Sequence, residues 1–184
     1  GIERMSRDDR RRYERLLINV AYQTHKDETR DFNYPLLEKI ASENYMRSDH
    51  VKSIEMMIKD CEHRELLFCN PDRSYNFGHL VFQEFLVGIY LNKYCETNEI
   101  KLLIPKPWWK VPLQFYAALK YDIGPVLKKF EEDPLFISAN KEILDEMYTY
   151  APGTSIKFNS FSKNIQNRNS NSHLPVIMQE DFYS

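Results

Sequence analysis

The sequence predicts a mainly α fold in which three helices are followed by a small β-hairpin and then by further helices. Apolar residues recur at helical spacing between Tyr13 and Cys61, and two short β-prone runs then flank residues 70–74. An almost wholly apolar helical segment comes directly afterwards. The chain has 184 residues, of which 42% are hydrophobic, so it is long enough for one domain or two small ones packed together.

The first part of the chain contains three predicted helices. The first covers residues 6–25, with Ser6 placed to cap its N-terminus. Its apolar face consists of Tyr13, Leu16, Leu17, Val20 and Ala21. A second helix begins at Pro35 and ends near Asn44. Ser48 and Asp49 open a third helix, whose apolar positions are Val51, Ile54, Met57, Ile58 and Cys61.

A change of period marks the hairpin. Residues 66–69 and 75–77 are β-prone, and residues 70–74 form a turn-rich segment of hairpin length. The order helix, helix, helix, hairpin is that of a winged-helix bundle with a small β-hairpin wing.

The second part is predicted to be all-helical. Residues 80–94 are apolar nearly all round, so other helices must cover them. Pro107 opens a helix that ends near Lys120, and Gly124 begins another. Ser138 is expected to cap a last segment, whose apolar face carries Ile143, Leu144 and Met147.

These elements predict three regions. Residues 1–79 form a winged-helix domain, residues 80–150 a helical domain, and residues 151–184 a flexible linker or tail rich in Ser and Asn. Within that tail, residues 174–178 have the composition of a docking strand. The chain begins with Gly1 and lacks an initiator Met, which indicates either a tag remnant or a fragment excised from a longer polypeptide.

Composition excludes several classes of protein. Lys and Arg total 25 against 27 Asp and Glu, a net charge of -2 that rules out a generally basic nucleic-acid-binding coat. No apolar run reaches the roughly 18 residues of a membrane helix, so no membrane partner is expected. Three cysteines without CxxC spacing predict reduced thiols in a cytoplasmic protein, and all three are expected to be small buried hydrophobes: Cys61, Cys69 and Cys95.

The common catalytic motifs are missing from the sequence. It contains no GxxxxGK[ST] phosphate loop, no GxGxxG and no HExxH. We therefore expect no autonomous enzyme activity, no catalytic residue and no metal ligand in this chain.

The most informative segment is YNFGHLVFQEFL at residues 75–86, where a strand passes directly into the buried helix. His79 lies at this junction. A helix N-terminus presents unpaired amides and a positive dipole, and a histidine beside it is able to donate to a phosphate oxygen. The alternative is that His79 hydrogen-bonds a local carbonyl in the core.

This segment resembles the F-x-F-x-H-x-x-F-Q-E-F/Y-L/F-A-A signature of NACHT-type STAND nucleotide-binding switches, which include NOD-like receptors and bacterial NACHT defence proteins. Residues 11–40 resemble the helices that lead into their winged helix, and PWWKV at residues 107–111 resembles the P-x-W-x-x-V start of a later helix. The resemblance covers about residues 6–132. Tyr75, Gly78 and the pair Val87–Gly88 depart from the usual residues.

The resemblance implies a regulatory role and a nucleotide cofactor. In the family, the histidine that matches His79 contacts the β-phosphate of ADP and holds the closed state. ATP exchange then moves the domain and permits homo-oligomerisation in signal transduction, innate immunity and antiviral defence. ADP or ATP with Mg²⁺ would be held mainly by the nucleotide-binding domain of the same polypeptide, so this chain alone binds neither tightly and does not hydrolyse ATP.

Alternative functions remain open. A winged helix often places its third helix in the DNA major groove, which makes a transcription regulator an alternative. Acids outnumber bases between Asp49 and Glu65, however, which disfavours nucleic acid. A protein-interaction scaffold is a further alternative.

Two other groups of side chains resemble ligand-binding sites, but an ordinary structural role explains each of them as well. Cys61, His63, Cys69 and His79 superficially resemble a zinc set, but their spacing is not a recognised one. The aromatic residues after Pro107 resemble a stacking platform. We expect instead that Trp108 and Trp109 take part in packing. One of the two tryptophans should pack against the helix of residues 80–94, and the other should lie at a subdomain seam.

Overall fold

The computed structural model describes residues 7–44 and 50–154. The fold is mainly α with one small antiparallel sheet, as the sequence predicts. Its helices in chain order are α1 (Arg7–Lys26), α2 (Tyr34–Asn44), α3 (His50–His63), α4 (Leu80–Tyr94), α5 (Thr97–Leu103), α6 (Lys110–Lys120), α7 (Gly124–Phe130), α8 (Pro134–Ala139) and α9 (Lys141–Tyr150). A 3₁₀ turn, Pro107–Trp109, leads into α6.

The first three helices have the apolar faces that their periodicity predicts. All five residues assigned to the apolar face of α1 are buried. On α3 the same is true of Ile54, Met57, Ile58 and Cys61. The capping roles of Ser6, Ser48 and Asp49 concern residues outside the described ranges, as does the side chain of Val51.

The predicted hairpin consists of β2 (Leu67–Cys69) and β3 (Tyr75–Phe77). It has an additional partner, since the two-residue strand β1 (Asp31–Phe32) pairs antiparallel with β3 and gives the order β1-β3-β2. The sequence pattern does not predict β1, because a strand of two residues is too short to show a period. Its Phe32 is buried, with its ring centroid 5.4 Å from that of Phe77.

Helix α4 is the central element. It packs against α1 on one side and against α6 on the other, which explains why it is apolar nearly all round. The close contact with α6 is made at Gly88, where an added methyl group would lie 2.5 Å from Cβ of Phe115. Buried residues of α1 to α7 and of α9 belong to one continuous core, and the partly buried Phe136 and Ile137 of α8 pack against it.

Two helices of the second part correct the sequence analysis. Helix α5 was not predicted, although Glu96 and Glu99 form a capping box at its start. Ser138 does not cap a helix, because it lies inside α8. The cap of α8 is Asp133, whose Oδ1 accepts a hydrogen bond from the amide of Phe136 at 3.0 Å.

The described part of the chain ends against the loop that follows α6. The amide of Gly153 donates to the carbonyl of Tyr121 at 2.9 Å, and Oγ1 of Thr154 accepts from the amide of Ile123 at 2.9 Å. The rest of the predicted tail, including the possible strand at residues 174–178, lies outside the described residues. No helix in the described ranges is long and apolar enough to cross a membrane.

Candidate nucleotide-contact site at the start of α4

His79 occupies the N-cap position of α4 with an extended backbone, φ -126° and ψ 133°. Its side chain is exposed and makes no capping hydrogen bond. The alternative of a histidine satisfied by a carbonyl in the core is therefore wrong. An exposed imidazole at a strand-to-helix junction is free to meet a group that arrives from outside the chain.

The first turn of α4 presents backbone donors beside this imidazole. The carbonyl of His79 accepts from the amides of Phe82 at 3.0 Å and Gln83 at 3.4 Å, which begins the helical ladder. The amides of Leu80 and Val81 precede that ladder and are the groups that a helix N-terminus leaves for a cap or an anion.

Buried side chains on both sides of His79 hold its backbone in place. Phe77 and Phe82 are both buried, with ring centroids 5.9 Å apart. Gln83 is buried as well, and its Nε2 donates to the carbonyl of Thr29 at 3.2 Å. Thus three of the residues around His79 are anchored in the core while its own side chain points away from it.

The departure at Gly78 has a structural explanation. A methyl group added at Gly78 would lie 2.2 Å from Cε2 of Phe68 and 3.1 Å from the carbonyl oxygen of Glu65. The ring of Phe68 therefore fills the space that a larger residue at position 78 would need. With Phe68 46% exposed and Val81 40% exposed, this ring and Val81 leave apolar surface close to His79.

The only acid within the 75–86 segment is Glu84, in the second turn of α4. Burial raises its pKa, while the nearby charge of Arg30 opposes that shift. Arg30 thus adds positive charge near the start of α4. The periodicity of the sequence does not predict that Arg30 lies close to this helix.

The cysteine prediction is wrong for Cys69, which is exposed, and Cys95 is only half-buried. Cys61 is buried, and burial raises the pKa of its thiol to about 12. In the described ranges, no three His, Cys, Asp or Glu side chains come together in a group that could hold a metal ion.

The surface expected to meet DNA in the alternative function carries few available cations. Arg64, just after α3, has its Nε 2.9 Å from Oδ2 of Asp60. Glu55 and Glu62 are exposed on α3 itself. Because these acids would face phosphates, the described residues of α3 offer little to attract a nucleic-acid backbone.

The buried histidine, His25, is a residue that sequence analysis missed. It lies in the last turn of α1 and exchanges two hydrogen bonds with Trp108: Nε2 contacts the Trp108 carbonyl at 3.1 Å, and Trp108 Nε1 donates to the His25 carbonyl at 2.9 Å. Its ring stacks on Trp108 and meets Trp109 edge-on, both with centroids 4.8 Å apart.

Both tryptophan rings lie against the C-terminal end of α1. Trp109 meets Tyr22 at 6.0 Å, and Tyr22 in turn stacks on Tyr90 of α4 with centroids 3.7 Å apart. These ring contacts join the C-terminal end of α1 to the 3₁₀ turn before α6.

Comparison with known proteins adds no relative. No family model matches the chain, and no significant match was found among curated proteins or solved structures. The likeness to NACHT-type switches therefore depends on the residues quoted above.

Proposed function

We propose that this chain is the regulatory winged-helix and helical part of a NACHT-type STAND ATPase in the cytoplasm. In this proposal His79 contacts the β-phosphate of ADP in the resting state. The remainder of the nucleotide and its Mg²⁺ are held by a nucleotide-binding domain of the same polypeptide. The single observation that supports it best is the exposed, uncapped imidazole of His79 at the N-terminus of α4.

Chemistry at this position favours an anion. The imidazole N–H and the amides of Leu80 and Val81 are hydrogen-bond donors, and the helix dipole places partial positive charge at the same point. The anchored rings of Phe77 and Phe82 keep these donors in a fixed arrangement. A diphosphate oxygen is a fitting acceptor for such donors.

The apolar rim has a role in the same proposal. Phe68 and Val81 are partly exposed beside His79, and surface of this kind is covered when a second domain docks. Exchange of ADP for ATP would shift the equilibrium between docked and released arrangements and so permit homo-oligomerisation.

A titration followed by NMR tests the contact with the chain itself. ADP and inorganic pyrophosphate are expected to shift the amide signals of residues 78–81 and the imidazole signals of His79, whereas adenosine is not. Because one contact of many is present, the dissociation constant should be in the millimolar range, about -4 kcal/mol of binding free energy. Equal shifts with adenosine, or shifts confined to another surface, would contradict the proposal.

His79→Ala should abolish these shifts, and His63→Ala is the matched control because His63 is an exposed histidine on α3. In the longer polypeptide, His79→Ala should reduce the ADP retained through purification and raise basal signalling. Unchanged ADP release would remove His79 from the mechanism.

The DNA-binding alternative is separated by a salt titration. Duplex affinity that is sequence-dependent and falls steeply with salt would favour a transcription regulator. If the chain binds a specific protein partner and nucleotide does not change that binding, the result would favour the scaffold alternative.

A further inference from the structure

His25 is buried completely, and only one of its ring nitrogens has a hydrogen-bond partner. Nε2 faces the carbonyl of Trp108, and a carbonyl oxygen only accepts, so Nε2 carries a hydrogen. Nδ1 is buried and has no partner among the described residues. In the neutral imidazole, Nδ1 carries only a lone pair, and burying this acceptor without a partner has a modest cost. In the cation, Nδ1 carries a hydrogen, and burying this charged donor without a partner has a high cost.

Two opposing effects act on the protonation of this ring. The Trp108 carbonyl favours the cation, whereas burial disfavours it. Burial prevails and lowers the pKa of His25 from 6.5 to about 4. The geometry explains this result, since the ring lies between two indoles that exclude water.

No neighbouring carboxylate offsets the cost of the charge. Burial and the Trp108 carbonyl are the causes of the shift, and no acid of the described ranges is among them. Charged or titratable side chains on the surrounding elements are Tyr22 and Lys26 on α1, Asp27 and Glu28 directly after it, Glu84, Tyr90 and Lys93 on α4, and Lys106 and Lys110 beside the 3₁₀ turn. Asp27 accepts from Gln23, and Lys110 Nζ lies 2.8 Å from Glu146 Oε1.

We propose that His25, Trp108 and Trp109 form a pH-sensitive switch, the His25 junction, which is closed while the imidazole is neutral and opens when it takes up a second proton. Opening gives the Nδ1 hydrogen access to water. It separates the end of α1 from the start of α6 and leaves the helices themselves formed. This switch is independent of His79 and of any nucleotide.

The tryptophans provide a direct readout, because the chain contains two and both contact His25. As pH falls from 6.5 to 4, tryptophan emission should move to longer wavelength while the far-UV circular dichroism of the helices stays unchanged. Over this interval the equilibrium constant for opening should rise by up to about two to three orders of magnitude. Emission that changes only together with the helix signal would overturn the proposal, since that result describes global acid unfolding.

Substitution isolates the imidazole. His25→Gln retains an amide that is able to donate to the Trp108 carbonyl but does not titrate, so its emission should be constant through this pH range. His63→Gln, at an exposed position, should behave like the unmodified chain. A His25→Gln variant with the original transition would exclude His25 as the sensor.

Nitrogen NMR on the unmodified chain tests the switch without depending on a variant that folds. His25 should be in the Nε2–H tautomer at pH 7, with a midpoint well below that of an exposed histidine. A midpoint of about 6 or above, or the Nδ1–H tautomer, would refute the switch.

Discussion

Gly88 of α4 and Phe115 of α6 are in such close contact that their backbones, and not their side chains, set the distance between the two helices. A methyl group at Gly88 would lie 2.5 Å from Cβ of Phe115 and 3.2 Å from the amide nitrogen of Tyr116. These atoms belong to the backbone or are attached directly to it, so no rotamer change relieves the contact. The glycine at position 88 thus serves the packing of α4 on α6.

Gly88→Ala should destabilise the protein. Helix propensity alone would stabilise the variant by about 1 kcal/mol, but forcing α6 away from α4 should cost more, for a net loss of about 1 to 3 kcal/mol in the free energy of unfolding. Urea unfolding measures this difference. A variant more stable than the original chain would show that the two helices separate at little cost.

Gly78→Ala should be less costly, because the clash is with the ring of Phe68, which is 46% exposed and free to rotate. We expect a loss of about 1 kcal/mol or less. In a Phe68→Ala background the same change should have almost no effect, since the obstructing ring is gone. Equal losses in both backgrounds would place the strain at the Glu65 carbonyl instead.

His79→Ser should stabilise the chain while abolishing its response to ADP. The N-cap backbone of α4 is extended, and Ser in that conformation is able to accept a hydrogen bond from the first turn, which is worth about 1 kcal/mol. His79 makes no such bond. The measurement is urea unfolding together with the ADP titration. If His79→Ser is less stable, the imidazole has a structural role.

The free energy of unfolding should depend on pH through His25. The pKa of this residue is about 4 in the folded chain against 6.5 when unfolded, so the unfolded chain binds more protons between these values. Stability is fully present above pH 6.5 and is lost as pH falls toward 4, by up to about 3 kcal/mol. Urea unfolding at several pH values should show this decrease in the free energy of unfolding. The decrease should be smaller in His25→Gln and unchanged in His63→Gln.

Gln83→Leu should cost about 1 kcal/mol, because it removes the hydrogen bond that the buried side chain of Gln83 donates to the carbonyl of Thr29. Gln114→Leu is the matched control: Gln114 Nε2 donates to Glu146 Oε2 at 2.8 Å from a half-buried position, where water can replace it. Equal losses for the two variants would mean that the Thr29 carbonyl finds another partner.

A histidine at the N-cap position of α4 does not favour the stability of the helix, since Ser, Thr, Asp and Asn are the preferred N-cap residues. Residues that depart from local preference tend to be retained for function. The motif in the sequence points to this position, and the structure adds the exposure of the His79 side chain.

Periodicity in the sequence was sufficient to predict α1 to α4, the hairpin and the apolar faces of α1 and α3, because regular elements repeat their burial every few residues. It was insufficient for β1, α5 and the capping of α8, which are too short to establish a period. The pairing of His25 with Trp108 was beyond its reach as well. These two residues are 83 positions apart, and neither carries a local signal for the other.

The sequence by itself determined the fold class and singled out His79, because helical spacing and a strand-to-helix junction are properties of neighbouring residues. Tertiary structure alone decided which histidine is exposed and which is enclosed, since burial depends on distant segments. His79 has its flanking aromatic rings in the core and its own ring in solvent. His25 became a buried titratable group only when the 3₁₀ turn before α6 brought two indoles against the end of α1.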